Sequence, residues 1–493
     1  MIGDKDRRRW VHLGFTAFTF FFLNVMVFAG SVKPYEVAFE GIPDSKLLKD
    51  MKALSDSIAL KHEPPASLNL LKQRIERDRK KFLQLLKANG YYGAQVRGEI
   101  DSKADPPRIV FRVDPGPAYV LSSADFQILS QAGKPTVDLP EPSDIGLVLG
   151  SPFNAASVID AQKALLRKLS KQGYPFPKVQ ERKIVVDHAT KLVTVSFLID
   201  PGPPAFFGPT SFKGLESVEE AFLRHKIPWQ EGDRFNADLL AVLRKRLMDL
   251  GLFATIRVVE SPSIDEKGRL PITVTVIERK HRSIRAGANY KTDEGLGGKL
   301  SWEHRNLLRQ GERLTLTGVA SEITVSAEGV FRKPDFLQND QALRLSLRLA
   351  EDDTDAYKSR NMVSLASIDR KVAEEITIGA GFGFKTSKVT QLGQEESYSF
   401  LFLPIYLERD TSNDLLDPSR GGRLGLRLIP HCDVSGEGTD FAACYGRYRH
   451  YIQILRDPYL VLAARVTLGS IVGAETREIP ADERFYAGGG GSI

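Results

Sequence analysis

Ile376-Thr377-Ile378-Gly379-Ala380-Gly381-Phe382-Gly383-Phe384-Lys385 decides the fold of the C-terminal half. Its apolar residues Ile376, Ile378, Ala380, Phe382 and Phe384 alternate with Thr377, Gly379, Gly381, Gly383 and Lys385. A period of two belongs to a strand with unlike faces. The alternation extends both ways. Ile284, Ala286, Ala288 and Tyr290 alternate with Arg285, Gly287, Asn289 and Lys291; Leu343, Leu345, Leu347 and Leu349 with Arg344, Ser346, Arg348 and Ala350; Leu424, Leu426 and Leu428 with Arg423, Gly425 and Arg427. We count about eleven strands, centred near residues 287, 300, 315, 327, 346, 364, 380, 401, 426, 448 and 464. No helical period interrupts the 213 residues from His281 to Ile493, and arginine and glycine recur on the polar side. Strands of this kind separated by turn residues are the pattern of a transmembrane β-barrel with a wet lumen. An antiparallel sandwich with one wet face is the competing architecture. Glycines at 379, 381 and 383 lie inside a strand and not before a helix, so they are expected to keep a lumen clear.

Upstream the pattern changes to three copies of one unit. Helical stretches end at Gly90, Gly173 and Gly251, spaced 83 and 78 residues apart. Glycine suits the left-handed conformation that closes a helix. In the second copy Val158, Ala161, Leu165 and Leu169 share one helix face. Asn154 and Asn236 stand at the matching helix entrances as N-caps. Two strand-like runs follow each glycine, and Asp114-Pro115-Gly116-Pro117 recurs as Asp200-Pro201-Gly202-Pro203. Each unit therefore reads strand–helix–helix–strand–strand, an α+β layer whose sheet edge can accept an extended partner; a plain spacer is the other reading.

Ahead of the repeats, Lys5, Arg7, Arg8 and Arg9 precede an apolar run from Val11 to Ala29. That is the layout of a secretory signal peptide cut after Ala29, with an uncleaved anchor as the alternative. The whole chain has 493 residues, 26% charged and 42% hydrophobic, with 68 basic against 62 acidic residues and a net charge of +6. A small excess spread along the chain lacks the concentrated basic stripe of a nucleic-acid binder. Two cysteines, Cys432 and Cys444, are too few for a disulfide scaffold. They flank Gly438 symmetrically, so a disulfide across a hairpin and two free thiols both stay open. Eight histidines form no HExxH, and neither G-x-S-x-G nor a P-loop occurs. No enzyme activity, cofactor or metal is expected.

Several stretches carry a resemblance: Arg305-Asn306-Leu307-Leu308 with Gly311-Glu312, Pro334-Asp335-Phe336-Leu337, and the turn Arg409-Asp410, Asp414, Pro418, Gly421-Gly422. A further one is Arg484-Phe485-Tyr486-Ala487 with Gly488, Gly489, Gly490 and Gly491. Together they resemble the outer-membrane assembly superfamily, in which periplasmic POTRA domains (β-α-α-β-β) precede a sixteen-stranded barrel. Three repeats look most like its TamA family, subunits of translocation and assembly modules. The resemblance implies a signal peptide at 1–29, POTRA domains at 30–119, 120–207 and 208–281, and a barrel from 282 to 493 that stops within the sixth extracellular loop. It implies an outer-membrane protein that inserts autotransporters and other β-barrel clients together with a TamB-like periplasmic partner and membrane lipid. Ser283, Ile284, Arg285, Ala286, Gly287, Ala288, Asn289 and Tyr290 would form the strand of a lateral gate, and Arg484-Phe485-Tyr486 would open the loop that folds back into the lumen. Turn chemistry explains Asp410, Asp414 and Pro418 without any ligand. A two-partner-secretion or porin-like pore is the alternative function.

Overall fold

The computed structural model describes residues 34–42, 44–63, 65–129, 137–291, 295–436 and 438–486. The signal segment 1–29 and Gly488 to Gly491 lie outside the described residues. The chain forms two compact units: residues 1–169 with 177–201, and residues 170–176 with 202–493.

The first unit holds two repeats. In the first, β1 (Glu36–Glu40) leads to helices α1 (Ser45–Leu54), α2 (Asp56–Ala59) and α3 (Leu68–Ala88), then to β2 (Gln95–Asp101) and β3 (Arg108–Asp114). The last strand is central: β3 pairs parallel with β1 and antiparallel with β2. Helices cover one sheet face, where Phe82 and Phe111 are fully buried with ring centroids 4.9 Å apart, edge to face. Asp78 of α3 is buried but satisfied, accepting from Ser55 Oγ and from the backbone N–H groups of Asp56 and Ser57, each at 2.8 Å. A carboxylate there caps the N-terminus of α2.

The second repeat has β4 (Val120–Ile128), α4 (Ala155–Lys171), β5 (Lys178–Asp187) and β6 (Leu192–Asp200) in the order β4-β6-β5. Val158, Ala161, Leu165 and Leu169 form the buried face of α4, as their spacing implies. The expected first helix is here only a 3-10 turn, Pro142–Ile145, ended by left-handed Gly146. Pro140 and Pro142 withhold backbone donors, and no full α-turn forms before that glycine.

The second unit joins the third repeat to a large sheet. The repeat contains β7 (Phe206–Lys213), α5 (Glu220–Arg224), α6 (Ala237–Asp249), β8 (Phe253–Glu260) and β9 (Arg269–Glu278), again with the last strand central. Its core stacks Phe207 on Trp229 at 4.4 Å. Asn236 caps α6 by accepting from Asp238 N–H at 3.0 Å.

The sheet is antiparallel: β10 (Arg282–Lys291), β11 (Gly295–His304), β12 (Arg313–Ala320), β13 (Thr324–Lys333), β14 (Gln341–Asp353), β15 (Lys358–Ala373), β16 (Ile376–Gln391), β17 (Gln394–Phe402), β18 (Ile405–Asp410), β19 (Gly421–Asp433), β20 (Phe441–Leu455) and β21 (Leu460–Val472). Twelve segments fill eleven places, because β17 and β18 share the place between β16 and β19. Leu403-Pro404 divides them, since proline has no N–H for the ladder; Pro404 still accepts from Gly381 N–H at 2.9 Å.

One sheet face is apolar and exposed, with Leu345, Leu347, Ile378, Phe382, Leu426 and Leu468 all more than 40% open. The opposite face buries polar groups, among them Ser301, Glu303, Lys385 and Ser387. That is the inverse of a soluble core and the arrangement of a barrel wall. The sandwich reading finds no second sheet on the apolar face among the described residues. The lumen-facing glycines do not keep space clear, as the sequence had suggested. A Cβ on Gly379 would lie 2.2 Å from the Tyr406 ring, and one on Gly383 2.1 Å from that of Phe402. Both are seats for an aromatic ring on the neighbouring strand. Among the described residues no helix is long and apolar enough to cross a membrane.

Candidate functional site

The site begins where the third repeat meets the sheet. Glu278, the last residue of β9, is buried to within 5% and sits beneath the loop before α5. It accepts from the backbone N–H groups of Glu216 at 2.9 Å, Ser217 at 3.1 Å and Val218 at 3.0 Å, and from Ser217 Oγ at 2.5 Å. His281 Nε2 lies 3.0 Å from the same carboxylate. Desolvation pushes this acid upward, but the hydrogen bonds from Ser217, His281, Val218 and Glu216 outweigh it and hold the pKa down to about 2.

The sheet answers with its first periplasmic turn, which contains Arg305-Asn306-Leu307-Leu308 and Gly311-Glu312. Asn306 Nδ2 donates to Ser217 Oγ at 3.2 Å, and Arg309 Nε donates to Ser217 O at 3.0 Å. Glu219 N–H donates to Arg309 O, and Gln310 Nε2 to Glu219 Oε2, both at 2.9 Å. Gly311 has φ +78°, and a Cβ there would stand 3.3 Å from the Phe222 ring of α5. Glu312 is fully buried and paired with Lys333 at 3.2 Å. The next periplasmic turn adds a second clasp between Asp335 and Lys226, both nearly buried. Two of the stretches singled out by resemblance, 305–312 and the one containing Asp335, thus form the dock for the third repeat.

From this dock β10 rises as an edge strand. Among the described residues it pairs with β11 alone, from Arg282 opposite His304 to Lys291 opposite Gly295. Ser283 to Tyr290 therefore lie together on one edge, with Ile284 and Tyr290 over 70% exposed on the apolar face. On its lumenal side Arg285 meets Glu303, and Ser283 Oγ accepts from Arg305 Nη2 at 3.1 Å. Glu303 of β11, 6% exposed, lies 2.6 Å from Arg285, 2.5 Å from Arg305 and 3.9 Å from Arg313. Sequence reading missed Glu303. It occupies an inward position, but only the register reveals guanidinium groups converging on it from three sides.

At the other end of the wall, residues 474–486 lie on the polar face. Ile479 and Ala481 pack with Val389, Tyr398, Phe400 and Phe441. The 3-10 turn Ala481–Glu483 presents two acids to Lys385, with Asp482 at 2.7 Å and Glu483 beside it; Lys385 is 9% exposed. Ser359 Oγ donates to Asp482 at 3.0 Å. Arg484 donates to Ile479 O at 2.8 Å and to Gln391 at 3.3 Å, Tyr486 donates to Ala481 O at 2.9 Å, and Phe485 covers Gly469. The pairing of Lys385 with Asp482 and Glu483 also escaped the sequence reading, since the two acids lie 97 and 98 residues beyond it.

Arg409, Asp410, Asp414, Pro418, Gly421 and Gly422 form the turn between β18 and β19. Asp410 meets Arg423 at 3.1 Å and accepts from Ser412 N–H, while Asp414 accepts from the N–H groups of Leu416 and Asp417. Gly421 has φ +89° where a Cβ would strike Thr411 O. All of this is turn chemistry. Cys432 and Cys444 are both free thiols. They do not face each other: the register sets Cys444 opposite Leu428, four residues short of Cys432. At ~3.4 Å per residue that offset is about 14 Å, too long for a disulfide.

A sheet with an apolar outer face and buried lumenal charge, behind α+β repeats, defines an outer-membrane β-barrel protein with periplasmic domains. Comparison with known proteins agrees. Residues 306–493 match the Omp85 superfamily domain, and residues 205–279 match the surface antigen variable number repeat, a POTRA domain. Residues 306–493 are accordingly an Omp85-type barrel portion in the outer membrane, and residues 205–279 a POTRA domain in the periplasm. The outer membrane protein assembly factor BamA of Neisseria meningitidis serogroup B is 20% identical over 501 residues, 94% of this chain and 61% of that protein. BamA of Nitratidesulfovibrio vulgaris is 21% identical over 475 residues, 93% of this chain and 59% of that protein. The crystal structure of Haemophilus ducreyi BamA lacking POTRA domains 1–3 superposes with a TM-score of 0.63 at 17% identity, covering 76% of this chain and 75% of that one. The chain spans between 24% and 61% of the length of the curated relatives it matches.

Proposed function

We propose that this chain serves to insert β-barrel proteins, autotransporters among them, into the outer membrane, and that it is a TamA-type subunit working with a TamB-like periplasmic partner. The observation that carries this reading is strand β10, which begins the sheet, pairs among the described residues with β11 alone, and is rooted in the repeat that precedes it. An incoming strand brings N–H and C=O groups that hydrocarbon cannot satisfy. An edge with unpaired backbone groups can satisfy them by β-augmentation. No covalent step is needed, because pairing and burial of lipid-facing side chains are favourable in themselves. Three repeats ahead of the barrel support the TamA reading, and relatives named as assembly factors support insertion.

The test is site-directed cross-linking. Cysteine at Gly287 or Asn289, in a Cys432→Ser, Cys444→Ser background, is expected to form a disulfide with cysteines in the terminal strand of an arrested autotransporter client. Absence of any such cross-link, with a large steady current in planar bilayers, would instead favour a secretion pore.

A further inference from the structure

A groove of about 860 Å³ runs across the apolar face of the wall from β15 to β21. It follows two adjacent cross-strand rows. One reads Arg370, Ile378, Leu407, Leu426, Gly446, Leu468, each residue directly opposite the next. The second reads Ile368, Ala380, Ile405, Leu428, Cys444, Ser470 in the same way. The hollow is deepest in residue size at β20, where Gly446 and Cys444 leave both rows short. Five steps of ~4.8 Å make the groove about 24 Å long. Half the hydrocarbon core is only about 15 Å, so one lipid chain fits along it.

The rows also climb. Because barrel strands tilt, a line across them rises through the membrane. Arg370 stands three residues from the periplasmic end of β15 at Ala373, whereas Leu468 is eight residues along β21 from Leu460. The groove therefore starts at the periplasmic interface and ends deep in the bilayer. Two arginines line it: Arg370 at the interfacial end, and Arg427 midway, set over the Tyr406 ring. Arg370 is exposed on the membrane side, and among the described residues no carboxylate lies within ion-pair distance of it. A guanidinium at that depth, beside an apolar channel, complements a phosphate whose lipid tail points inward.

We propose that this groove holds one phospholipid of the periplasmic leaflet, its phosphate on Arg370 and an acyl chain lying along the two rows past Gly446 and Cys444. The proposal rests on the membrane-spanning assignment of the sheet and is independent of any insertase role. Size and charge distinguish this site from the smaller hollow of about 570 Å³ beside Leu349, where Arg360 is paired with Glu351 at 3.0 Å.

Native mass spectrometry of the full chain, extracted into dodecyl maltoside and titrated with dioleoylphosphatidylglycerol, tests it. The wild type is expected to retain one lipid. Arg370→Gln is expected to weaken retention about tenfold, the scale of one lost charge-assisted contact of ~1.4 kcal/mol. Gly446→Phe, which fills the hollow, should do the same, whereas Leu347→Phe on the open face should not. In a Cys432→Ser background the lipid should also slow maleimide labelling of Cys444, and Arg370→Gln should restore the rate. Equal retention by wild type and Arg370→Gln, no retained lipid in the wild type, or labelling of Cys444 unchanged by lipid would each overturn the proposal. Arg370 makes no contact the fold requires, so its variant stays informative even where Gly446→Phe fails to fold.

Discussion

The first repeat and the barrel wall use the same residue types for opposite ends. In the repeat Phe82, Phe111 and Leu86 are wholly buried, and most charge lies on the water-facing side, the hydrogen-bonded Asp78 and Arg74 being the buried exceptions. In the wall Phe382 and Leu347 are about half exposed, while Lys385, Glu303 and Glu312 are hidden. The repeat is stabilised by removing apolar surface from water. The wall gains nothing by hiding leucine from lipid, so its specificity rests on hydrogen bonds and ion pairs inside. One chain thus carries two energy rules, and the dock around Glu278 is where they meet.

The largest expected effect breaks the repeat. Phe82→Ala should cost about 4 kcal/mol, transfer plus cavity, and unfold the first repeat early in a urea titration. Phe382→Ala on the wall should shift the same titration far less, because its ring already faces the membrane. Next comes the reverse test. Leu347→Arg places a charge mid-strand on the lipid face and should cost about 3 kcal/mol in reconstitution, read as the fraction folded into vesicles.

The dock responds to acid. Glu278 has a folded pKa of about 2, below its ordinary value of 4.5. Its contribution is therefore complete above pH ~4.5 and is lost as pH falls toward 2. A depression of this size corresponds to roughly 3 kcal/mol at neutral pH, an upper figure for the dock. Urea midpoints of the third repeat should fall between pH 5 and 3 in the wild type. In Glu278→Gln they should start lower and stay flat over that range. The smallest effect is a cap: Asn236→Ala should destabilise the third repeat by about 1 kcal/mol, read by the same titration.

The repeats were legible because their punctuation is local. Gly90, Gly173 and Gly251 do close helices with positive φ, and the alternation from Ile284 onward does mark strands. What escaped depends on register or on distant partners. Leu403-Pro404 splits one strand in two, yet a proline inside an alternating run shows in sequence only as a lapse. The glycines of β16 looked like open space because the rings of Tyr406 and Phe402 come from another strand. Cys432 and Cys444 are symmetric about a turn in sequence, but the hairpin pairs them out of step. The acid pair on Lys385 lies some hundred residues from it, beyond any local pattern.

Glu303 is one carboxylate among three guanidinium groups, and only Arg285 belongs to β10. Arg285 is 62% exposed and already largely hydrated. Were β10 to peel from β11, Arg285 would go to water while Arg305 stayed 2.5 Å from the acid. No buried charge would be orphaned, the event that makes breaking an internal ion pair costly. The spare cations thus make the seam electrically reversible: it can part and re-form with its charge balance kept by the strand that remains.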